Sequence, residues 1–177
     1  MSTTDEEQVA ATATRRAGLQ RFSPNDAPML FETTVMHMPT TDPPAMDQVI
    51  EWGTSGGNVV KVLFGDPESD GMSLVWSYFA PEYALPRHSH SADCMYYVTK
   101  GELRMGSQVV TEGEGFFVPD GAPYAYTAGP EGVEILEFRA KSTFDMKITE
   151  SLARWDQILE GVREHRDEWT RDMPNHI

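Results

Sequence analysis

A chain of 177 residues, 40% of them hydrophobic, is long enough for one compact core with short extensions and too short for two full domains. Its 28 acidic against 14 basic residues give a formal charge of -14, which serves solubility and excludes the basic footprint that nucleic acid or an anionic membrane surface requires. A single cysteine, Cys94, excludes an internal disulfide framework, and no run of about 18 to 20 apolar residues offers a membrane span.

In chain order, residues 1–21 are polar and rich in Ala and Thr. Glu6 to Leu19 could make a loose helix but carries no apolar stripe, so the segment reads as a flexible arm. No apolar stretch follows the Arg15 and Arg16 pair as a secretory leader would need, and the expected compartment is the cytoplasm. Residues 22–58 contain Pro24, Pro28, Pro39, Pro43 and Pro44, which predict an extended, turn-rich segment packed on the domain that follows. His37 stands alone in that segment and carries no ligand spacing.

Residues 59–144 change character. Val59 to Phe64, Ser73 to Phe79, Met95 to Val98, Phe116 to Val118 and Val133 to Phe138 are short runs of β-branched and aromatic residues separated by turns with Gly, Pro, Asp or Asn. With no helical pattern between them, they predict an all-β sandwich or barrel instead of parallel βαβ units. Residues 145–177 switch period again: Leu152, Trp155, Leu159, Val162 and Trp169 fall three, four or seven apart, which predicts an amphipathic helix stopped near Pro174. Its stripe has to cover either the barrel or a second subunit.

The informative stretch runs from Arg87 to Gly101 and holds His88 and His90. On a strand, residues two apart point the same way, so both imidazoles present to one side, an arrangement that suits a divalent transition metal or a hydrogen-bonded core pair. Together with Cys94 and Gly101 this stretch resembles the first motif of the cupin family. Gly113, Pro119 and Gly121, followed by Tyr124, resemble the second. The resemblance covers the barrel and neither terminal arm, and it implies a double-stranded β-helix, or jelly roll.

It also implies a metal set of His88, His90, Cys94 and Tyr124, with Cys94 at the family's Glu position and Tyr124 at its second-motif His. Ala128 falls at a later Asn and Glu82 at a leading Gly. Ionising a free thiol at pH 7 costs about 2 kcal/mol against about 4 for a phenol, so Cys94 is the easier anionic ligand. Cys94 is about two bonds shorter than Glu and Tyr124 reaches about 2 Å farther than His, so the two exchanges could compensate. Each also has a plain alternative: Cys94 as a small buried residue, and Tyr124 as a hydrogen-bonded aromatic or a proton donor.

Period-two counting extends the pocket. Tyr96 shares the face of Cys94, Tyr126 that of Tyr124, and the alternation with Ser73 and Ser77 points Leu74, Trp76 and Tyr78 inward. In the last strand either Glu134 or Glu137 faces in, and Glu137 is preferred. An aromatic pocket of this kind suits a small organic molecule. The expectation is a metal-dependent enzyme, a dioxygenase, lyase or isomerase acting through iron, zinc or copper on a small organic acid or aromatic compound, with Tyr124 catalytic. The alternative is a binding or sensing module without chemistry. A homodimer follows from the resemblance and from the helix's need for a surface.

Overall fold

The β-branched and aromatic runs form an eight-stranded antiparallel sheet in the computed structural model, which describes residues 18–171 and Met173. Its strands are β1 (Asn58–Phe64), β2 (Ser73–Phe79), β3 (Ala84–Ser89), β4 (Cys94–Met105), β5 (Gln108–Thr111), β6 (Gly115–Val118), β7 (Tyr124–Arg139) and β8 (Lys147–Ile148). The 16-residue β7 organises them. It pairs with β2 through one half, with β3 through the other, and with β4 from Cys94↔Arg139 to Arg104↔Thr127. A strand shared in this way curls the sheet into the half-barrel of a jelly roll.

Strand β4 is longer than its apolar run predicts because Gly101 lets it turn the corner. Gly101 sits at φ 76, beside two register shifts in the β4–β7 ladder, and a Cβ there would collide with the carbonyl oxygen of Gly132. Glycine alone tolerates both conditions. Gly101→Ala should therefore lower stability by about 2 kcal/mol, read as a shifted urea midpoint at constant slope. Glu82, which falls where the resembling family carries glycine, is the only non-glycine among the described residues with positive φ, at 60°. Its carboxylate meets Arg104 at 3.2 Å.

The segment before the barrel is not extended throughout. Pro43 and Pro44 open a short 3-10 turn that runs into helix α1 (Met46–Gly53), because a proline at a helix entrance gives up an N–H that has no partner there anyway. The rest crosses the barrel through the isolated bridges Met29↔Lys61, Met36↔Phe144 and Thr40↔Lys147. Helix α2 (Leu152–Arg171) buries Trp155, Ile158, Leu159, Val162 and Trp169, while Leu152 of the expected stripe is exposed. Trp169 Nε1 donates to Pro81 O at 2.8 Å, and Arg163 forks onto Glu51 of α1 at 2.9 and 3.0 Å. The stripe is thus covered by this chain's own barrel and α1, so the helix supplies no reason for a second subunit. Residues 1–17 of the expected 1–21 arm and the stop at Pro174 lie outside the described residues, and residues 18–21 are exposed. No helix among the described residues is long and apolar enough to cross a membrane.

Candidate functional site

Strand register decides what faces the interior. Cys94, Tyr96 and Val98 of β4 are all buried, whereas Met95 and Tyr97 between them are exposed. Opposite them on β7, Val133, Ile135, Glu137 and Arg139 take the inner face and Phe138 the outer. On β2 the inner residues are Val75, Ser77 and Phe79, since Ser77 Oγ donates to Glu137 Oε1 at 2.6 Å.

This reverses the expectation for Trp76 and Tyr78, which lie on the opposite side of β2 and do not line the cavity. The serines taken as outward markers are interior and satisfied: Ser73 donates to Lys141 O at 2.9 Å and Ser77 to Glu137. Every residue of β2 is buried, so alternation carried no information about its inner face.

The cavity on the inner face has a volume of about 380 Å³ and is bounded by Val60, Val75, Phe79, Tyr126 and Phe144, with Met29, Leu30 and Phe31 at its margin. His88, His90, Tyr124, Glu137 and Arg139 also line it. His88 lies near the end of β3, directly across from Tyr124 of β7, and their rings are 4.3 Å apart between centroids. His90 follows one residue past β3, held where Gly121 N donates to His90 O at 2.9 Å, so the turn of the second motif fastens the first. The two imidazole centroids are 5.0 Å apart at 73°.

Each imidazole is oriented by a backbone carbonyl: His88 Nδ1 lies 2.7 Å from Pro86 O and His90 Nδ1 lies 2.6 Å from Asp145 O. A carbonyl only accepts, so both Nδ1 atoms carry the proton and both Nε2 atoms keep a lone pair. Neither Nε2 has a hydrogen-bond partner among the described residues. Burial, above all, pushes the His88 pKa down to about 4 and the His90 pKa down to about 3, and the Arg139 charge lowers both further. Both rings are neutral at pH 7, the state a metal ion requires.

The other two expected ligands part company. Tyr124 lines the cavity, its hydroxyl hydrogen-bonded to that of Tyr96, and burial first, then Glu137, raises its pKa well above the ordinary phenol range. Cys94 does not line the cavity. Its Sγ approaches Met95 O at 3.8 Å, the residue is 1% exposed, and burial pushes the thiol up to about 12. It is a buried neutral thiol, the plainer of its two readings. Tyr96 shares its face but sits behind Tyr124, stacked on Phe116 at 4.6 Å. Among the described residues no three His, Cys, Asp or Glu side chains converge as an ion would require. What these residues offer a cation is two imidazoles lining one cavity and no third ligand of those types, so its remaining positions would fall to other ligands.

Sequence reasoning missed Arg139. Its Nη2 donates to Glu137 Oε2 at 2.6 Å and to Tyr96 Oη at 3.3 Å, and its guanidinium carbon stacks 3.9 Å from the Phe144 ring centre. Opposite charges two apart on a strand share a face, so the pair Glu137 and Arg139 was the available signal.

A family model for the ChrR cupin-like domain matches residues 45–142, more than half of the chain. The chain belongs to the ChrR cupin-like family. No curated protein sequence matches it significantly. Among solved structures, this cupin is similar to a cupin-fold protein of unknown function from Ralstonia eutropha, with 19% identity over 66% of this chain and 79% of that one and a TM-score of 0.45. It is similar to an RmlC-like cupin from Shewanella frigidimarina, with 24% identity over 48% and 76% and a TM-score of 0.41. It is also similar to the DMSP lyase DddQ from Ruegeria pomeroyi, with 22% identity, 46% of each chain covered and a TM-score of 0.42, so the match spans under half of the lyase.

Proposed function

We propose that this cupin is a small-molecule enzyme that uses a divalent transition metal held by Nε2 of His88 and Nε2 of His90, with Tyr124 as its proton donor. The observation that carries the reading is the locked tautomer of both rings, which turns two unprotonated nitrogens toward one cavity. When bound, the cation supplies Lewis-acid polarisation of a ligand carbonyl or a place for dioxygen, as in a lyase, isomerase or dioxygenase. With Cys94 a buried thiol outside the cavity lining, thiolate no longer argues for zinc. Two imidazoles completed by ligand oxygens admit iron, zinc or copper.

The chain's own part is protonic. Arg139 can only donate, so Tyr96 receives from it and has its own proton to give to Tyr124. Tyr124 is then held with its O–H available to a molecule in the cavity, and its raised pKa keeps it an acid at neutral pH.

Metal analysis after reconstitution tests the reading. Wild-type protein should hold roughly one equivalent per chain, and His88→Ala and His90→Ala should each lower affinity at least about tenfold, since loss of an outer partner alone brings that much. Diffraction collected at metal absorption edges would name the element. Background metal in reconstituted wild-type protein would end the proposal. A second reading, a binding module without chemistry, is favoured by the lack of a third His, Cys, Asp or Glu ligand among the described residues. It would stand if metal were retained and no candidate substrate turned over.

A further inference from the structure

The guanidinium of Arg139 is incompletely satisfied. It has five N–H donors, and only Nη2 is engaged: Nε and Nη1, three N–H groups between them, have no acceptor among the described residues. The side chain is 1% exposed, so water does not make up the deficit from bulk. Stacking on Phe144 covers one face of the guanidinium plane and leaves its edges, where the donors project, untouched. A buried cation with unfilled donors is costly, and in a native structure such a group calls for a partner, whether ordered water, an ion or a ligand.

Charge in the cavity points to the sign of that ligand. Arg139 is balanced by Glu137 alone, and Glu137 is already committed to Arg139 and Ser77. Among the described residues no other carboxylate lines the cavity, and His88, His90 and Tyr124 are held by hydrogen bonds to Pro86 O, Asp145 O and the Tyr96 hydroxyl. The protein therefore offers hydrogen-bond donors and no spare anion. Around them the walls are mostly aromatic and aliphatic, which leaves a few polar groups in a largely apolar space, with Arg139 the one Lys or Arg among the lining residues.

From this we infer that the cavity takes a small carboxylic acid with an apolar body, its carboxylate accepting from the unfilled donors of Arg139 beside the two histidines. The inference rests on the reading of this cavity as the ligand site, and it holds with or without a bound cation. Arg139 is thus the specificity-determining residue: it selects the anion over neutral isosteres, because the anion pairs its opposite charge with the planar donor fork whereas a neutral oxygen brings hydrogen bonding alone.

Benzoate and benzamide, alike in shape and different in charge, are the probes. Calorimetric titration of full-length protein, once stripped with chelator and once reloaded with zinc, should show one benzoate site per chain with at least about tenfold preference over benzamide in both states. Arg139→Lys, which keeps the charge and loses the planar fork, should weaken benzoate by at least about tenfold and leave benzamide unchanged. In wild-type protein, where folding is not in question, the side-chain Nε–H resonance of an arginine should shift and exchange more slowly when benzoate is added.

Equal affinity for the two probes, no benzoate binding, or a preference that survives Arg139→Lys would overturn the inference. So would a preference confined to the zinc-loaded protein, since the anion would then be reading the metal. Metal content measured on the same samples judges the histidine reading separately.

Discussion

Mild acid should destabilise this protein through its two buried imidazoles. In the folded state the His88 pKa is near 4 and the His90 pKa near 3, while in the unfolded chain both sit near 6.5. Between those values the unfolded state binds protons that the folded state refuses, so stability rises with pH. Each histidine contributes its full effect above pH 6.5 and loses about 1.4 kcal/mol per pH unit as the pH falls toward its folded value. For the pair that is about 2.7 kcal/mol per unit down to pH 4, a large part of the stability of an ordinary domain. Urea unfolding of chelator-treated protein at pH 7, 6, 5 and 4.5 reads the slope directly. His88→Phe should roughly halve it, because one of the two refused protons is then absent. A flat profile across this window would mean that the imidazoles are charged or solvated in the fold.

Arg139→Met should cost about 3 to 5 kcal/mol, the penalty for leaving the buried Glu137 carboxylate without its counter-charge. The pair is close, at 2.6 Å, and its side chains are only 1% and 10% exposed. Replacing both members, as Glu137→Met with Arg139→Met, should recover most of the loss, because an apolar pair of similar volume replaces two desolvated charges. A double-mutant cycle by urea denaturation isolates the coupling, and an interaction below about 1 kcal/mol would place the pair among surface-like ion pairs.

The architecture was legible because local and long-range signals agreed in the barrel. Turn residues bounded short β-rich runs, and Gly101 stood where a bend of β4 against β7 tolerates no side chain. The histidines were legible for the same reason: period-two geometry needs no knowledge of the neighbours. What failed was any inference that used polarity to assign a face in a strand buried on both sides. Ser73 and Ser77 are interior because Lys141 O and Glu137 satisfy them, and those partners lie 60 or more residues away in sequence. Trp76 and Tyr78 went to the wrong side with them. The role of Cys94 was similarly hidden, because family spacing fixes where a residue falls along β4 and not how far its side chain reaches. Arg139 escaped notice since the motifs end before it, although its two-residue offset from Glu137 was visible. Helix α1 was obscured by a count of prolines that ignored their position at its entrance.

The polar groups of the cavity and part of its apolar wall come from separate parts of the chain. The histidines, Tyr124, Glu137 and Arg139 stand on or beside laddered strands, whereas Met29, Leu30, Phe31 and Met36 belong to a crossing segment joined to the barrel by single bridges. That part of the wall, thioether and aliphatic in Met29, Leu30 and Met36 and aromatic in Phe31, can therefore vary without touching the strands that hold the polar groups, and substitutions there would retune which shapes the cavity accepts.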